Sequence, residues 1–202
     1  MNKQHIDTVV FDLGNVVLSF DPLKYLQKHF KDENMIEILY KEVFKGEEWL
    51  YLDRGSMEEE EALESITKRI PEYHEIVKKI LSTWNEMLTP IQSTVDIISV
   101  LKEQGYRLYI LSNFPKRAFG EISKKYEFFQ WFDGRLISCD YKLLKPEEEI
   151  YKTLVQLYDI NPSTTVFIDD SEANVKAAEK LGFHTIHFQK SEQLTDFFLK
   201  VE

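Results

Sequence analysis

Carboxylates, a serine and one lysine stand at or near the ends of apolar runs in this chain. Thr8-Val9-Val10-Phe11 is an apolar, β-branched run that closes on Asp12, with Gly14 two residues later. That pattern places the carboxylate where a buried strand emerges, the edge at which open α/β sheets do chemistry. Arg107-Leu108-Tyr109-Ile110-Leu111 ends in Ser112-Asn113, and Thr165-Val166-Phe167-Ile168 ends in Asp169-Asp170. If these strands are neighbours, their ends converge on one crevice. Packed carboxylates repel one another unless a pKa rises or a hard cation binds, and an oxygen-only set with waters and a phosphate suits Mg²⁺. Lys145, in Leu144-Lys145-Pro146, offers a compact ammonium to pair with phosphate and carboxylate. Singly, each feature reads as a turn or a helix cap; the ordered set argues for a site. A second carboxylate two residues after Asp12 would serve proton transfer, but that position holds Gly14.

The elements that must position this set follow from the rest of the pattern. From Pro22 to Met87 no strand is evident, and Leu23, Leu26, Phe30, Ile36, Leu39, Tyr40 and Val43 fall at helical spacing. Ser56-Met57-Glu58-Glu59 has the form of a capping box for a helix to about Arg69, and Pro71 suits the first turn of another running through Met87. This predicts an insert of about four helices. From Pro90 the chain alternates helix and strand. Helices are expected at Ile91–Gln104, stopped by Gly105, and at Lys116–Tyr126, Glu147–Tyr158, Ser171–Leu181 and Glu192–Lys200, with strands at Arg107–Leu111, Arg135–Ser138, Thr165–Ile168 and His184–His187. The expected fold is α/β: a Rossmann-like parallel sheet with helices on both faces, formed by residues 1–16 and 88–202, with residues 17–87 inserted as a helical-bundle cap.

With 202 residues and 43% hydrophobic content the chain has room for one core and a smaller module. A net charge of -10 argues against nucleic-acid or anionic-membrane partners. Cys139 is the single cysteine, so it makes no intramolecular disulfide. No stretch approaches the ~20 apolar residues of a membrane span, and Met1-Asn2-Lys3-Gln4-His5 lacks the features of a signal peptide. These observations lead to the expectation of a cytoplasmic protein, a monomer or weak homodimer, acting on a small molecule.

The ordered motifs resemble, over nearly the whole chain, those of the haloacid dehalogenase-like hydrolases, most of which are Mg²⁺-dependent phosphatases working through an aspartyl-phosphate. The resemblance implies that Asp12 is nucleophile and metal ligand, that Ser112 and Asn113 hold phosphate oxygens, and that Lys145 balances charge. It also implies that Asp169 ligates the metal and Asp170 does so directly or through water, with Asn174 in the same motif. The Gly14 carbonyl completes the implied metal set. The insert resembles the helical cap of the phosphoglycolate phosphatase-like and dehalogenase-like subgroup. The first motif, Leu101-Lys102-Glu103-Gln104-Gly105 and the overall length are similar to phosphatases of α-D-glucose 1-phosphate.

Gly14 departs from the family pattern, which carries a general acid and base there. Such catalysis is worth about 10²- to 10⁴-fold, roughly 3 to 5 kcal/mol. The expectation is therefore a phosphatase that prefers leaving groups tolerant of charge, such as a sugar 1-phosphate. Asp21, where the chain enters the insert, is a candidate substitute whose plainer reading is a helix N-cap. In Glu47–Gly55, Trp49 is expected either to stack on a sugar ring or to pack in the core, with Arg54 or Asp53 bonding hydroxyls. Two other readings stand beside this one: a 2-haloacid dehalogenase using Asp12, disfavoured by the retained Asp169 and Asp170, and a pseudo-enzyme that binds a phosphorylated ligand.

Overall fold

The computed structural model describes residues 6–199; the Met1–His5 stretch and the expected helix end at Lys200 lie outside them. Five parallel strands form one sheet in the order β3-β2-β1-β4-β5. They are β1 (Thr8–Phe11), β2 (Arg107–Ser112), β3 (Gly134–Ile137), β4 (Thr165–Asp169) and β5 (His184–His187). The apolar runs divide by the two-residue period of a strand. Val9, Phe11, Leu108, Ile110, Val166 and Ile168 join the larger core on one face. Val10, Tyr109, Leu111 and Phe167 join the smaller core on the other. Both faces are thus covered, as an all-parallel sheet requires.

β1 lies between β2 and β4, with Phe11 in register with Ile110 and Ile168. The polar residues that follow these three strands therefore reach the same carboxyl edge. This is also where the strand order reverses, the usual place for a ligand crevice in such sheets.

Between β1 and β2 the chain builds α1 (Pro22–His29), α2 (Glu33–Leu39), α3 (Glu47–Arg54), α4 (Glu59–Arg69) and α5 (His74–Thr83), followed by α6 (Gln92–Glu103). Entry to and exit from the inserted helices are paired: Ser19 N–H donates to the Thr89 carbonyl and Ile91 N–H to that of Val17, each at 2.8 Å. The insert thus has five α-helices rather than four. A π-helical turn (Tyr40–Phe44) separates α2 from α3, and the helix expected from Pro71 through Met87 is broken by tighter turns at Pro71–Tyr73 and Trp84–Met87. The expected capping box is also displaced. Ser56 Oγ bonds the Tyr51 carbonyl at 3.3 Å, and α4 is capped by Glu58, whose N–H donates to Glu61 Oε2 at 2.9 Å.

After β2 come α7 (Lys116–Lys125), the short α8 (Ser138–Tyr141), α9 (Glu148–Tyr158), α10 (Glu172–Lys180) and α11 (Glu192–Leu194), which passes into a π-helical turn at Thr195–Leu199. α8 was not expected from the sequence. Among the described residues no helix is long and apolar enough to cross a membrane.

Candidate active site

Asp12 is the first residue beyond β1, and its N–H is still held by the Ile168 carbonyl of β4 at 2.9 Å. Its Oδ1 accepts from the Leu13 N–H at 2.7 Å and from Ser112 Oγ at 2.8 Å, and lies 2.8 Å from Lys145 Nζ. Oδ2 takes none of these three partners. The following backbone N–H, a serine of the neighbouring strand and a loop lysine therefore orient one oxygen of the carboxylate and leave the other for chemistry.

Lys145 is buried between two carboxylates, bonding Asp169 Oδ2 at 2.6 Å as well as Asp12. Burial alone would lower its pKa, but Asp12 and Asp169 more than offset this and the pKa is raised, so the ammonium persists. Burial pushes the Asp12 carboxyl up to about 7, with Lys145 opposing and Asp169 adding to the rise. Asp169 is fully buried and also accepts from Ser171 N–H at 2.8 Å and from Asn174 Nδ2 at 3.0 and 3.1 Å. Asp170 sits nearer the surface, where Asn15 Nδ2 donates to its Oδ2 at 3.0 Å. Asn15 adopts φ 55°, a conformation asparagine tolerates, and its Oδ1 accepts from Phe20 N–H at 3.0 Å.

One carboxylate oxygen from each of Asp12, Asp169 and Asp170 lies within 4.8 Å of the others. Three carboxylates against one ammonium leave an excess of negative charge, and all the donors are hard oxygens. That set fits Mg²⁺, which binds through one or two carboxylates, waters and phosphate oxygens.

A cavity of about 120 Å³ opens over Asp12, lined at its base by Gly14, Ser112, Asn113, Lys145 and Asn174. Its walls are Phe20, Trp49, Trp84, Leu88, Phe114 and Pro115, with Asp53 the added acidic group. Trp49 is both wall and packing: it lies 4.9 Å from the rings of Phe44 and Trp84. A Cβ built on Gly14 meets nothing within 4 Å.

Asn113 and Arg54 make bonds that their sequence reading did not include, and Asp21 takes its plainer role as a helix cap. Asn113 spends its side chain on the backbone of Lys145, donating Nδ2 to the carbonyl at 3.0 Å and accepting the N–H at 2.9 Å. It positions Lys145 while still lining the cavity. Arg54 does not line the cavity. Its Nη1 bonds Glu147 Oε2 at 3.1 Å and the Lys142 carbonyl at 3.2 Å, and Nη2 bonds Glu147 Oε1, so it clamps α3 to the loop before α9. Asp21 caps α1 by accepting Lys24 N–H at 3.0 Å, and it lines a separate cavity with Ser19 and Lys24.

The sequence offers Asp53 as a bonding partner for hydroxyls and assigns no role to Asn15 or Ser138. Asp53 is a largely buried residue whose carboxyl opens on the cavity, and among the described residues no donor is bonded to it. Burial raises its pKa to about 8, the charge of Asp12 adds to this and Lys145 opposes it. Ser138 Oγ donates to the Asp53 carbonyl while accepting Phe114 N–H at 2.9 Å, joining α3 to the ends of β2 and β3. Asn15 was legible as an asparagine in a tight turn after a strand. Ser138 carried no signal, because its partners are distant in sequence.

A family model described as haloacid dehalogenase-like hydrolase matches residues 6–182. The sesquiterpene phosphatase astK of Aspergillus oryzae is 25% identical, covering 90% of this chain and 89% of its own. The phosphorylated carbohydrates phosphatase of Thermotoga maritima is 23% identical, covering 90% and 84%. Among solved structures, a variant of the HAD family enzyme bt-2542 from Bacteroides thetaiotaomicron, in complex with magnesium and inorganic phosphate, superposes with a TM-score of 0.75. It is 25% identical and the match covers 96% of this chain and 99% of that one.

Proposed function

This chain belongs to the haloacid dehalogenase-like hydrolases, and we propose that it is a Mg²⁺-dependent phosphomonoesterase that works through an aspartyl-phosphate on Asp12. The observation that carries this reading is the asymmetric Asp12 carboxylate, with three partners on Oδ1 and none of them on Oδ2. Oδ2 attacks phosphorus in line, while Lys145 and Ser112 keep the carboxylate aligned and meet charge on the phosphoryl oxygens. Asp12, Asp169, Asp170 and the Gly14 carbonyl would hold Mg²⁺, which when bound supplies further positive charge there. Phosphatases among the similar proteins, and a neighbour solved with magnesium and phosphate, support the same reading.

In this reading residues 17–87 act as a cap over a core of residues 1–16 and 88–202, and the substrate is a compact phosphorylated metabolite. The wall of Phe20, Trp49, Trp84, Leu88 and Phe114 favours an ester with an apolar or planar face. A sugar 1-phosphate is the second class, supported by the carbohydrate-phosphate relative and by the indole of Trp49. A cytoplasmic monomer or weak homodimer completes the proposal. No observation favours the dehalogenase: Asp169 and Asp170 add negative charge that a carboxylate substrate would oppose. The intact ion-paired set likewise favours turnover over a binding-only protein.

The test is p-nitrophenyl phosphate with and without Mg²⁺, followed by a panel of phosphate esters. Metal-dependent release is expected, with loss of all turnover in Asp12→Asn. Silence on phosphate esters together with halide release from 2-chloropropionate would replace the phosphatase by the dehalogenase.

A further inference from the structure

Position 14 has a backbone but no proton donor, and the space where a side chain would stand is open. Both half-reactions of an aspartyl-phosphate enzyme are accelerated by proton transfer, which position 14 does not supply. The choice among carboxylates is narrow. Asp169 is saturated by Lys145, Ser171 and Asn174. Asp170 is bonded to Asn15, and Asp21 caps α1 beside a different cavity. Asp12 itself is the nucleophile. Asp53 remains, in the wall of the same cavity as Asp12, Ser112 and Lys145.

Its placement is held firmly while its carboxyl is left unpaired. The backbone carbonyl is tied to Ser138, and the next residue, Arg54, is clamped by Glu147. Gly55 then turns at φ 68° so close to Cys139 that a Cβ would lie 2.6 Å from its carbonyl oxygen. A mostly desolvated carboxyl with no protein donor costs stability. One bond to its own carbonyl, one ion pair from the next side chain and the close approach of Gly55 to Cys139 hold it there, which is what a group kept for a substrate requires.

We propose that Asp53 is the general acid and base of this site, presented by α3 from across the cavity in place of a carboxylate at position 14. The inference rests on the phosphatase reading. In the first half-reaction Asp12 Oδ2 forms a bond to phosphorus as the bond to the leaving oxygen breaks. The leaving oxygen keeps that electron pair and takes the proton of the Asp53 carboxyl, departing as the neutral alcohol. In the second, the Asp53 carboxylate removes a proton from water as the water oxygen attacks phosphorus. The acyl phosphate P–O bond breaks with its pair returning to Asp12, phosphate leaves, and Asp53 is protonated again.

The test compares wild type and Asp53→Asn on p-nitrophenyl, phenyl and p-methoxyphenyl phosphates with Mg²⁺. kcat/KM reports the first half-reaction, and its dependence on the leaving group separates proton donation from simple binding. Asp53→Asn is expected to lose about 10²- to 10⁴-fold on p-methoxyphenyl phosphate but under about tenfold on p-nitrophenyl phosphate, whose leaving oxygen needs little protonation. It should also release a burst of p-nitrophenol and accumulate acid-stable phosphate on Asp12. Adding Gly14→Asp to Asp53→Asn should recover part of the loss on p-methoxyphenyl phosphate. Equal losses on all three esters without a burst, or no loss, would overturn the assignment of Asp53 alone. Silence of the wild type on all three esters would instead overturn the phosphatase reading. If Asp53→Asn melts below the wild type, Asp53→Ser carries the same comparison.

Discussion

Asn113 and Lys145 hold each other by two reciprocal hydrogen bonds, side-chain amide to backbone, at 3.0 and 2.9 Å. The pair links the end of β2 to the loop whose lysine bridges Asp12 and Asp169. Asn113→Ala leaves a buried N–H and C=O without partners, and is expected to cost about 1 to 3 kcal/mol. Thermal unfolding would measure that loss. Phosphate release should fall chiefly through kcat, because the ammonium of Lys145 loses its anchor while the cavity wall is unchanged.

Lys145→Ala strips the compensating charge from two buried carboxylates. Removing one partner of a buried ion pair costs about 3 to 5 kcal/mol. The variant should be inactive and melt well below the wild type in EDTA. Added Mg²⁺ should raise its melting temperature more than that of the wild type, since the carboxylate cluster then carries one more uncompensated charge. Equal metal-induced shifts in the two proteins would count against Asp12, Asp169 and Asp170 as the metal set.

Gly55→Ala is expected to be more harmful than an exposed loop change. The residue sits at positive φ, and its new Cβ would press on the backbone of Cys139. Stability should drop by more than about 1 kcal/mol, and turnover should fall further as α3 withdraws from the core. Arg54→Ala tests the same junction more gently, because the Arg54–Glu147 pair is partly exposed and worth little by itself. A raised KM with a near-native melting temperature is its expected signature.

Acid stability depends on a second ion-pair network within the insert. The guanidinium of Arg69 bonds both Glu48 oxygens, at 2.7 and 3.0 Å, and Ser65 Oγ adds a third donor at 2.6 Å. These bonds, Arg69 first, lower the Glu48 pKa from 4.5 to about 2. Because the folded value lies below the unfolded one, this contribution is present in full above the unfolded pKa and is lost as pH falls from about 4.5 towards 2. Melting curves of wild type and Glu48→Gln should therefore differ most near neutrality and converge at the acidic end of that window.

The sequence made the catalytic edge legible because strand ends are local. Asp12, Ser112 and Asp169 each close an apolar run, and the parallel alternation left few ways to arrange them. What was not legible depends on which way a side chain faces. Arg54 and Asp53 are adjacent on one helix, and composition gives no hint that the first grips Glu147 while the second faces the cavity. The bonds of Asn113 to Lys145 could not be read locally either, because the two are 32 residues apart. The Ser56–Glu59 spacing reads as a capping box for α4, and the sequence holds no sign of a cap at Glu58. Ser56 is drawn back to the Tyr51 carbonyl by the turn at Gly55, which leaves the cap to Glu58.

Trp49 and Asp53 are four residues apart on α3, so they share one helix face and move as one piece. A proton donor two residues from the nucleophile would stay with it whatever else changed. Here the indole that walls the cavity and the carboxyl proposed to act in it are mounted on the same short rod. Exchange of that rod between relatives would transplant taste and tempo together. An ester that fits poorly enough to tilt α3 would be penalised twice, once in affinity and once in protonation.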